Sequence, residues 1–355
     1  MKILFYTDVH FRSSGDFFKI SKNGHSNLLN HLSDSLLWLE NQIETHKPDL
    51  VVCGGDLYHS LDYIDRNTVT ISFSKLKHLC EVCSSVGAEH KVLLGNHDFI
   101  SLKREISVID FLDDFKNTSV VRSLEQIGNI VFCPYFDSKE EFCIPEEILS
   151  NSKNSLFFGH LSLQGGFYKS FKKNTQIIKE YEQENLTAQV KSFKLVFNGH
   201  HHIPQKINSN IILPGSFLQL SLDEPSLDMP RGIWLIDSET FSTQLIENKI
   251  SPRLHRIYSK EDLEKVEDNS YVYFSYSDSE ELSSSSLELK RFLGLRTEKV
   301  VKIKKEKSKE LLNFSSLTNT QLFEHYLNNI EVKSPIELLS NFGKGCLNEA
   351  SSINN

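Results

Sequence analysis

Leu50-Val51-Val52-Cys53-Gly54-Gly55-Asp56-Leu57-Tyr58-His59 is the stretch that decides the fold. Leu50 to Cys53 form a short apolar run, the composition of a strand buried on both faces. Gly54-Gly55 lets the backbone turn tightly at the strand end. Asp56 is the first side chain after that turn. A carboxylate at the carboxyl end of a buried strand stands where open α/β sheets place ligands. Taken alone, Gly-Gly-Asp is also a common turn with an Asx cap.

Working outward, the same grammar recurs. Residues 2–7 read as a strand followed by Asp8-Val9-His10. Lys91–Leu94 leads into Gly95-Asn96-His97-Asp98, and Leu156–Phe158 into Gly159-His160. Lys194–Phe197 leads into Asn198-Gly199-His200-His201-His202. Further strands are predicted at Ile130–Cys133, Ile211–Leu213, Gly232–Asp237 and Thr243–Glu247. Apolar residues at helical spacing predict helices from Leu28 to Ile43, from about Thr68 to Ser85, and through Ile106, Ile109, Leu112 and Phe115. Pro48 closes the first of these. Ser162 to Gln189 reads as a long polar loop. Alternating strands and helices predict an α/β chain. The strand-rich later part predicts two sheets packed as a sandwich with helices outside. The ligand-bearing strand ends are expected along one sheet edge.

From about Lys249 the pattern changes to strands at Arg253–Tyr258, Ser270–Tyr276 and Lys299–Ile303 with helical stretches between, a small α+β domain. The expected organisation is a main domain over 1–248, a small capping domain over 249–303, and a linker with helices and a disordered tail over 304–355. Lys302–Glu310 is dense in lysine and reads as a solvated linker. Short amphipathic helices are predicted near Thr320–Leu327 and Ile336–Phe342. Helices this short need a surface to bury their apolar faces, either a partner's or that of the small domain.

The chain has 355 residues, 39% hydrophobic and 24% charged, enough for a sizeable core. Its net charge of −8 argues against a general nucleic-acid binder. A bound metal pair would reverse the local sign of an acidic site. The only C-x-x-C among the six cysteines, Cys80-Glu-Val-Cys83, has no second pair and makes no zinc ribbon. The thiols are read as reduced. The sequence contains no apolar run of 18 residues, the length of a membrane span, and the start is too short in its apolar part for a signal peptide. A cytoplasmic location is expected, the host's if the chain is phage-encoded.

Asp8, His10, Asp56, Asn96, His97, His160, His200 and His202 thus stand at strand ends that a sheet can bring together. Mixed nitrogen and oxygen donors without thiolate suit manganese, iron or zinc. A metal pair needs a bridging carboxylate, and Asp56 is the candidate. Two metals ~3.5–4 Å apart can clamp the oxygens of a phosphate ester.

The ordered set Asp-x-His, Gly-Asp, Gly-Asn-His-Asp, Gly-His, Gly-His-x-His resembles the calcineurin-like metallophosphoesterase superfamily. The resemblance implies that Asp8, His10, Asp56 and His202 hold one metal, and Asp56, Asn96, His160 and His200 the other. It implies that His97 is the general acid and that His59 lies beside the metals and orients DNA. Gly55-Asp56-Leu57-Tyr58-His59, the run Ser107–Leu112, Pro214-Gly215-Ser216 and Arg231-Gly232-Ile233 resemble the SbcD-type nuclease subunits and their phage recombination counterparts. The resemblance implies a DNA exonuclease on duplex ends and endonuclease on single strands, with two divalent ions, manganese preferred. It also implies a homodimer built from the first helices and an SbcC-like coiled-coil ATPase partner, together a heterotetramer in recombination or repair. Phosphatases of the superfamily carry an arginine shortly after the Gly-Asp, which grips a terminal phosphate. Leu57-Tyr58-His59-Ser60 supplies none. A phosphatase of the same fold and a non-catalytic assembly subunit are the alternatives.

Overall fold

The computed structural model describes residues 1–15, 26–59, 63–99, 106–136, 142–166, 184–222, 224, 229–276 and 292–299. Met1–Val300 forms one compact unit and Val301–Asn355 a second. The second lies outside the described residues, and with it the lysine-rich stretch, the two helices predicted near Thr320–Leu327 and Ile336–Phe342, and the predicted tail.

In chain order the first elements are β1 (Lys2–Tyr6), α1 (Asn27–His46), β2 (Leu50–Cys53), α2 (Arg66–Val86), β3 (Glu89–Leu93) and β4 (Thr118–Val121). Then come β5 (Glu125–Ile127), β6 (Ile130–Cys133), α3 (Glu146–Leu149), β7 (Leu156–Gly159), α4 (Glu184–Val190) and β8 (Leu195–Asn198). β9 (Gln205–Lys206), β10 (Ile211–Leu213), β11 (Gly232–Asp237) and β12 (Thr243–Glu247) complete the main part.

Two six-stranded sheets result, ordered β12-β11-β1-β2-β3-β4 and β5-β6-β7-β8-β10-β9. β1 to β4 pair in parallel, as do β6, β7, β8 and β10, so each sheet gathers several carboxyl ends at one edge. The ligand-bearing ends therefore sit on two sheets, not along one edge as expected. The alternation of side chains sorts the layers. Ile3 and Phe5 of β1 pack with Phe158 of β7 and Phe197 of β8 between the sheets. Leu4 and Tyr6 point the other way, onto α1 and α2. Val131, Phe157 and Val196 meet α4 on the far side of the second sheet. The architecture is a four-layer sandwich of helix, sheet, sheet and helix.

Local chemistry sets the helix ends. Ser26 caps α1 through Leu29 N, and Lys47 turns left-handed before Pro48. Asp65 caps α2 through Asn67 N and Thr68 N, and Gly87 closes it. Cys80 and Cys83 are buried in α2. Two expectations change. The third helix is only a 3₁₀ turn over Asp110–Asp114. Side-chain contacts hold its approach instead of a helical ladder: Ser107 Oγ donates to Asp98 O and Ser107 N to Asp110 Oδ2. The polar loop from Ser162 contains α4. Its apolar positions Leu186 and Val190 lie i, i+4 apart, too short a signal among polar residues.

β13 (Arg253–Ile257), α5 (Lys260–Leu263), β14 (Ser270–Tyr276) and β15 (Gly294–Lys299) follow, and the strands form a parallel three-stranded sheet. Gln219, from the loop after β10, pairs with Leu254 as a strand residue would. Its Nε2 donates to Leu254 O at 2.7 Å and its Oε1 accepts from Leu254 N at 2.8 Å.

Candidate metal centre

The loops after β1 and β2 run side by side. Asp8 N donates to Gly55 O, His10 N to Asp56 O and Phe11 N to Leu57 O. This ladder puts Asp8, His10 and Asp56 in register. The loop after β3 joins them where His97 N donates to Asp56 Oδ1 at 2.9 Å. Gly95 has to be glycine, because a Cβ there would overlap the Asp56 carboxylate. The second sheet is tied in by His200 N, which donates to Asp8 Oδ1 at 3.1 Å. Asp8, His10, Asp56 and His200 all take left-handed backbone, with φ of 55°, 50°, 55° and 73°. Such conformations cost roughly 1–2 kcal/mol each outside glycine. Their concentration here marks a site the fold holds against local preference.

All the residues expected to ligate metal converge. Asp56 Oδ2 faces both halves of the cluster, 3.3 Å from His10 Nε2 and 3.4 Å from His160 Nε2. Asp8 Oδ1 lies 3.7 Å from His10 Nε2 and 3.7 Å from His202 Nε2. Asn96 Oδ1 lies 2.8 Å from His200 Nδ1 and 3.2 Å from His160 Nε2. Asp8, His10, Asp56 and His202 form one candidate metal group, and Asp56, His160 and His200 a second. Donors about 2.0–2.2 Å from a cation stand roughly 3 Å apart at right angles, and the spacings above approach that. His10 Nε2 is buried and faces the carboxylates of Asp8 and Asp56, as a ligand atom would. The donor set and the shared Asp56 oxygen fit two divalent ions.

Each of these histidines has its other nitrogen engaged, the usual arrangement behind a metal ligand. His160 Nδ1 donates to Gly54 O at 2.6 Å. His200 Nε2 meets Ser162 Oγ at 3.0 Å, and His202 Nδ1 lies 3.3 Å from Glu224 Oε1. His10 Nδ1 meets His59 Nδ1 at 3.2 Å. Arg12 has only donors, so its 2.8 Å contact makes His59 Nε2 the acceptor and puts the His59 proton on Nδ1, toward His10. His10 then carries its own proton on Nε2. A cation at that atom displaces the proton, and the contact with His59 has to reverse or break.

Charge follows the geometry. Burial opposes ionisation of Asp8, but the His10 hydrogen bond and the charges of His160 and His202 hold its carboxyl at about 2. Asp56 is also held below the ordinary carboxylate range, by His160 and His10, against its burial. Burial disfavours a proton on His160, yet the Asp56 charge raises that residue to about 9. Burial and the Arg12 charge push His59 down to about 3, so it is neutral at pH 7. His97 lies parallel to His59 at 5.5 Å between ring centroids, and its Nδ1 donates to His59 O at 2.6 Å.

Four residues of the site escaped the sequence reading. Asp98 accepts from Gly95 N, Asp56 N, Leu57 N and Tyr58 N and so fixes the loop that carries Asp56. It stands inside the quoted Gly-Asn-His-Asp motif, which was the available signal. Asn198 joins the ends of β7 and β8, accepting from Leu161 N and donating to Leu161 O. Arg12 and Glu224 carried no motif. His201, without an expected role, is buried and accepts from Leu163 N.

The chain is similar to several known proteins. The SbcD chain of nuclease SbcCD from Staphylococcus saprophyticus is 29% identical over 163 residues, 45% of this chain and 38% of that one. The chain thus spans well under half of that relative. A chain described as a phosphoesterase, 244L of Invertebrate iridescent virus 6, is 24% identical over 235 residues, 63% of this chain and 72% of that one. A dimetal phosphatase from Danio rerio superposes with a TM-score of 0.38 at 11% identity, over 66% of this chain and 91% of that one. The family profile described as calcineurin-like phosphoesterase matches residues 1–204, the span that holds every residue of these candidate metal groups, and the chain belongs to that family.

Proposed function

We propose that the chain is a two-metal DNA phosphodiesterase of the SbcD type, cleaving duplex ends as an exonuclease and single strands as an endonuclease. One observation carries the choice of a diester. A terminal phosphate carries an extra charge that needs a further cation, best an arginine fork. Among the described residues, Arg12 and Arg231 are the arginines that reach the cluster, and both are committed to it. Arg12 donates to His59 Nε2 and to Leu220 O, and Arg231 lies 3.0 Å from Glu224 Oε2. An internal diester needs no such clamp.

When bound, two divalent ions would polarise the phosphoryl oxygens and make water acidic enough to attack. Asp8, His10, Asp56 and His202 would hold one, and Asp56, Asn96, His160 and His200 the other. His97 is the acid. Its Nδ1–H is fixed on the His59 carbonyl, so Nε2 is the atom that delivers a proton to the leaving 3′ oxygen. Water supplies the oxygen that stays on phosphorus, and the products are a 5′-phosphate and a free 3′ hydroxyl. His59, neutral and stacked on His97, sets the ring's direction and flanks the DNA strand.

In this reading residues 1–248 are the nuclease domain, 249–303 a cap, and 304–355 a linker with helices that dock an SbcC-like ATPase. Manganese is the preferred ion, and a homodimer through the first helices completes the assembly. The decisive assay compares linear duplex DNA with an aryl phosphomonoester, in Mn2+ and in Mg2+, with and without the ATPase. Metal-dependent nucleotide release from DNA with little monoester turnover supports the proposal. The reverse ranking supports a phosphatase of the same fold.

A further inference from the structure

We infer that Glu224 is a positioning residue for one of the two metal sites, acting through His202. The inference rests on the metal-centre reading above and concerns a residue outside every motif in the sequence. Glu224 belongs to the loop after β10, 22 positions beyond His202. It is 5% exposed, and Arg231 beside it is 1% exposed. A buried carboxylate survives only when its charge and lone pairs are met. Here both oxygens are used, and for different purposes.

Oε2 is held by the protein. It lies 3.0 Å from Arg231 NH2 and accepts from Ser216 Oγ at 3.2 Å and Leu220 N at 3.3 Å. Arg231 also donates to Ser216 Oγ and to the main-chain oxygen of His202, both at 2.6 Å. One guanidinium therefore grips the carboxylate and the backbone of the histidine that the carboxylate faces. Oε1 is directed at that histidine, 3.3 Å from His202 Nδ1, while Nε2 of the same ring faces Asp8 Oδ1. The arrangement holds the proton on Nδ1 and leaves Nε2 as a lone-pair donor aimed into the cluster. His160 has a carbonyl behind it and His200 a hydroxyl, whereas His202 has a full charge. It is also more exposed than His160. An exposed ring has less packing to fix it, so an ionic hold matters most there.

The expected consequence is selective. Removing such a partner typically weakens metal affinity 10- to 100-fold. The loss falls on the ion held by Asp8, His10 and His202. The ion held by Asn96, His160 and His200 keeps its own supports. A purely structural role for Glu224 would instead weaken both sites together or lower the melting temperature alone.

The test is calorimetric titration of the metal-free full chain with Mn2+, alongside electron paramagnetic resonance of the loaded protein. The wild-type chain should take two ions and give an exchange-coupled spectrum. Glu224→Gln should keep one site at wild-type affinity, weaken the other 10- to 100-fold, and give an isolated-Mn2+ spectrum at one equivalent. Glu224→Gln leaves Arg231 buried without its counter-charge, so the double variant Glu224→Gln, Arg231→Gln is measured as well. It removes both charges and should show the same single weakened site. Two unchanged sites in either folded variant would overturn the inference and leave the metal centre standing. Uptake of no Mn2+ by the wild-type chain would overturn the metal centre itself, and the inference with it.

Discussion

His90 and His160 are both 0% exposed, and they respond to burial in opposite ways. His90 sits in the middle of the first sheet's helix-side core. Tyr6 OH lies 3.1 Å from its Nε2 and Cys80 Sγ 3.8 Å from its Nδ1. Both neighbours are neutral, and burial alone lowers it to about 4. His160 sits at a strand end, 3.4 Å from Asp56 Oδ2, and is raised to about 9. Burial therefore sets the size of an electrostatic effect, and nearby carboxylates, Asp56 above all, set its sign. The difference separates a histidine that fills a core from one whose Nε2 is held against a carboxylate at the candidate metal centre.

The strongest way to break this contrast is to delete the carboxylate. Asp56→Asn should abolish phosphodiesterase activity and release at least one ion, and His160 should titrate far below 9. Metal analysis and NMR titration of the histidines check this. An active, fully loaded variant would remove Asp56 from the bridge.

Next in size is His97, the proposed acid, which belongs to neither class. His97→Asn should leave metal content intact and slow cleavage of a normal diester by about 10²–10⁴-fold. A diester with an acidic leaving group should lose much less, because it needs no proton. Equal losses on both substrates would deny His97 the acid's role.

A smaller effect sharpens the core side. His90→Gln should retain both ions and activity while losing about 1–3 kcal/mol of stability in urea. His160→Gln should lose an ion. If His90→Gln lost metal too, the two histidines would not be separate devices.

The smallest effect is a pH dependence in chelator. The folded-state value of His160, about 9, lies above the unfolded value near 6.5, so its stabilisation is complete below pH 6.5 and fades toward 9. His90, at about 4, lies below the unfolded value, so its stabilisation is complete above pH 6.5 and fades as pH falls to 4. Melting curves should show His160→Gln flattening only the alkaline limb and His90→Gln only the acid limb.

Much of this could be read from the chain. Strand ends followed by a ligand residue are local signals; with a glycine between, they located Asp56, Asn96, His160 and His200, and without one Asp8. His90 lies inside β3 and not at its end, so the same rule passed over it. Which sheet each end belongs to was not legible. That depends on β4, whose Thr-Ser-Val-Val has too weak an alternation, and on β5, largely polar Glu-Gln-Ile. The supports of the site were hidden for another reason. Glu224 and Arg12 act through contacts set by loop paths, and no spacing rule links a residue to a partner 22 or 208 positions away.

The left-handed backbone at Asp8, His10, Asp56 and His200 has an evolutionary consequence. Aspartate, asparagine and histidine tolerate that conformation better than most residues, and glycine best of all. The ligand types this chemistry requires are thus among the few the backbone accepts. A lineage that abandoned catalysis would not be free to drift at these places toward alanine or leucine. It would settle on glycine or asparagine, and an extinct site of this kind would stay legible in its descendants as a scatter of those two residues.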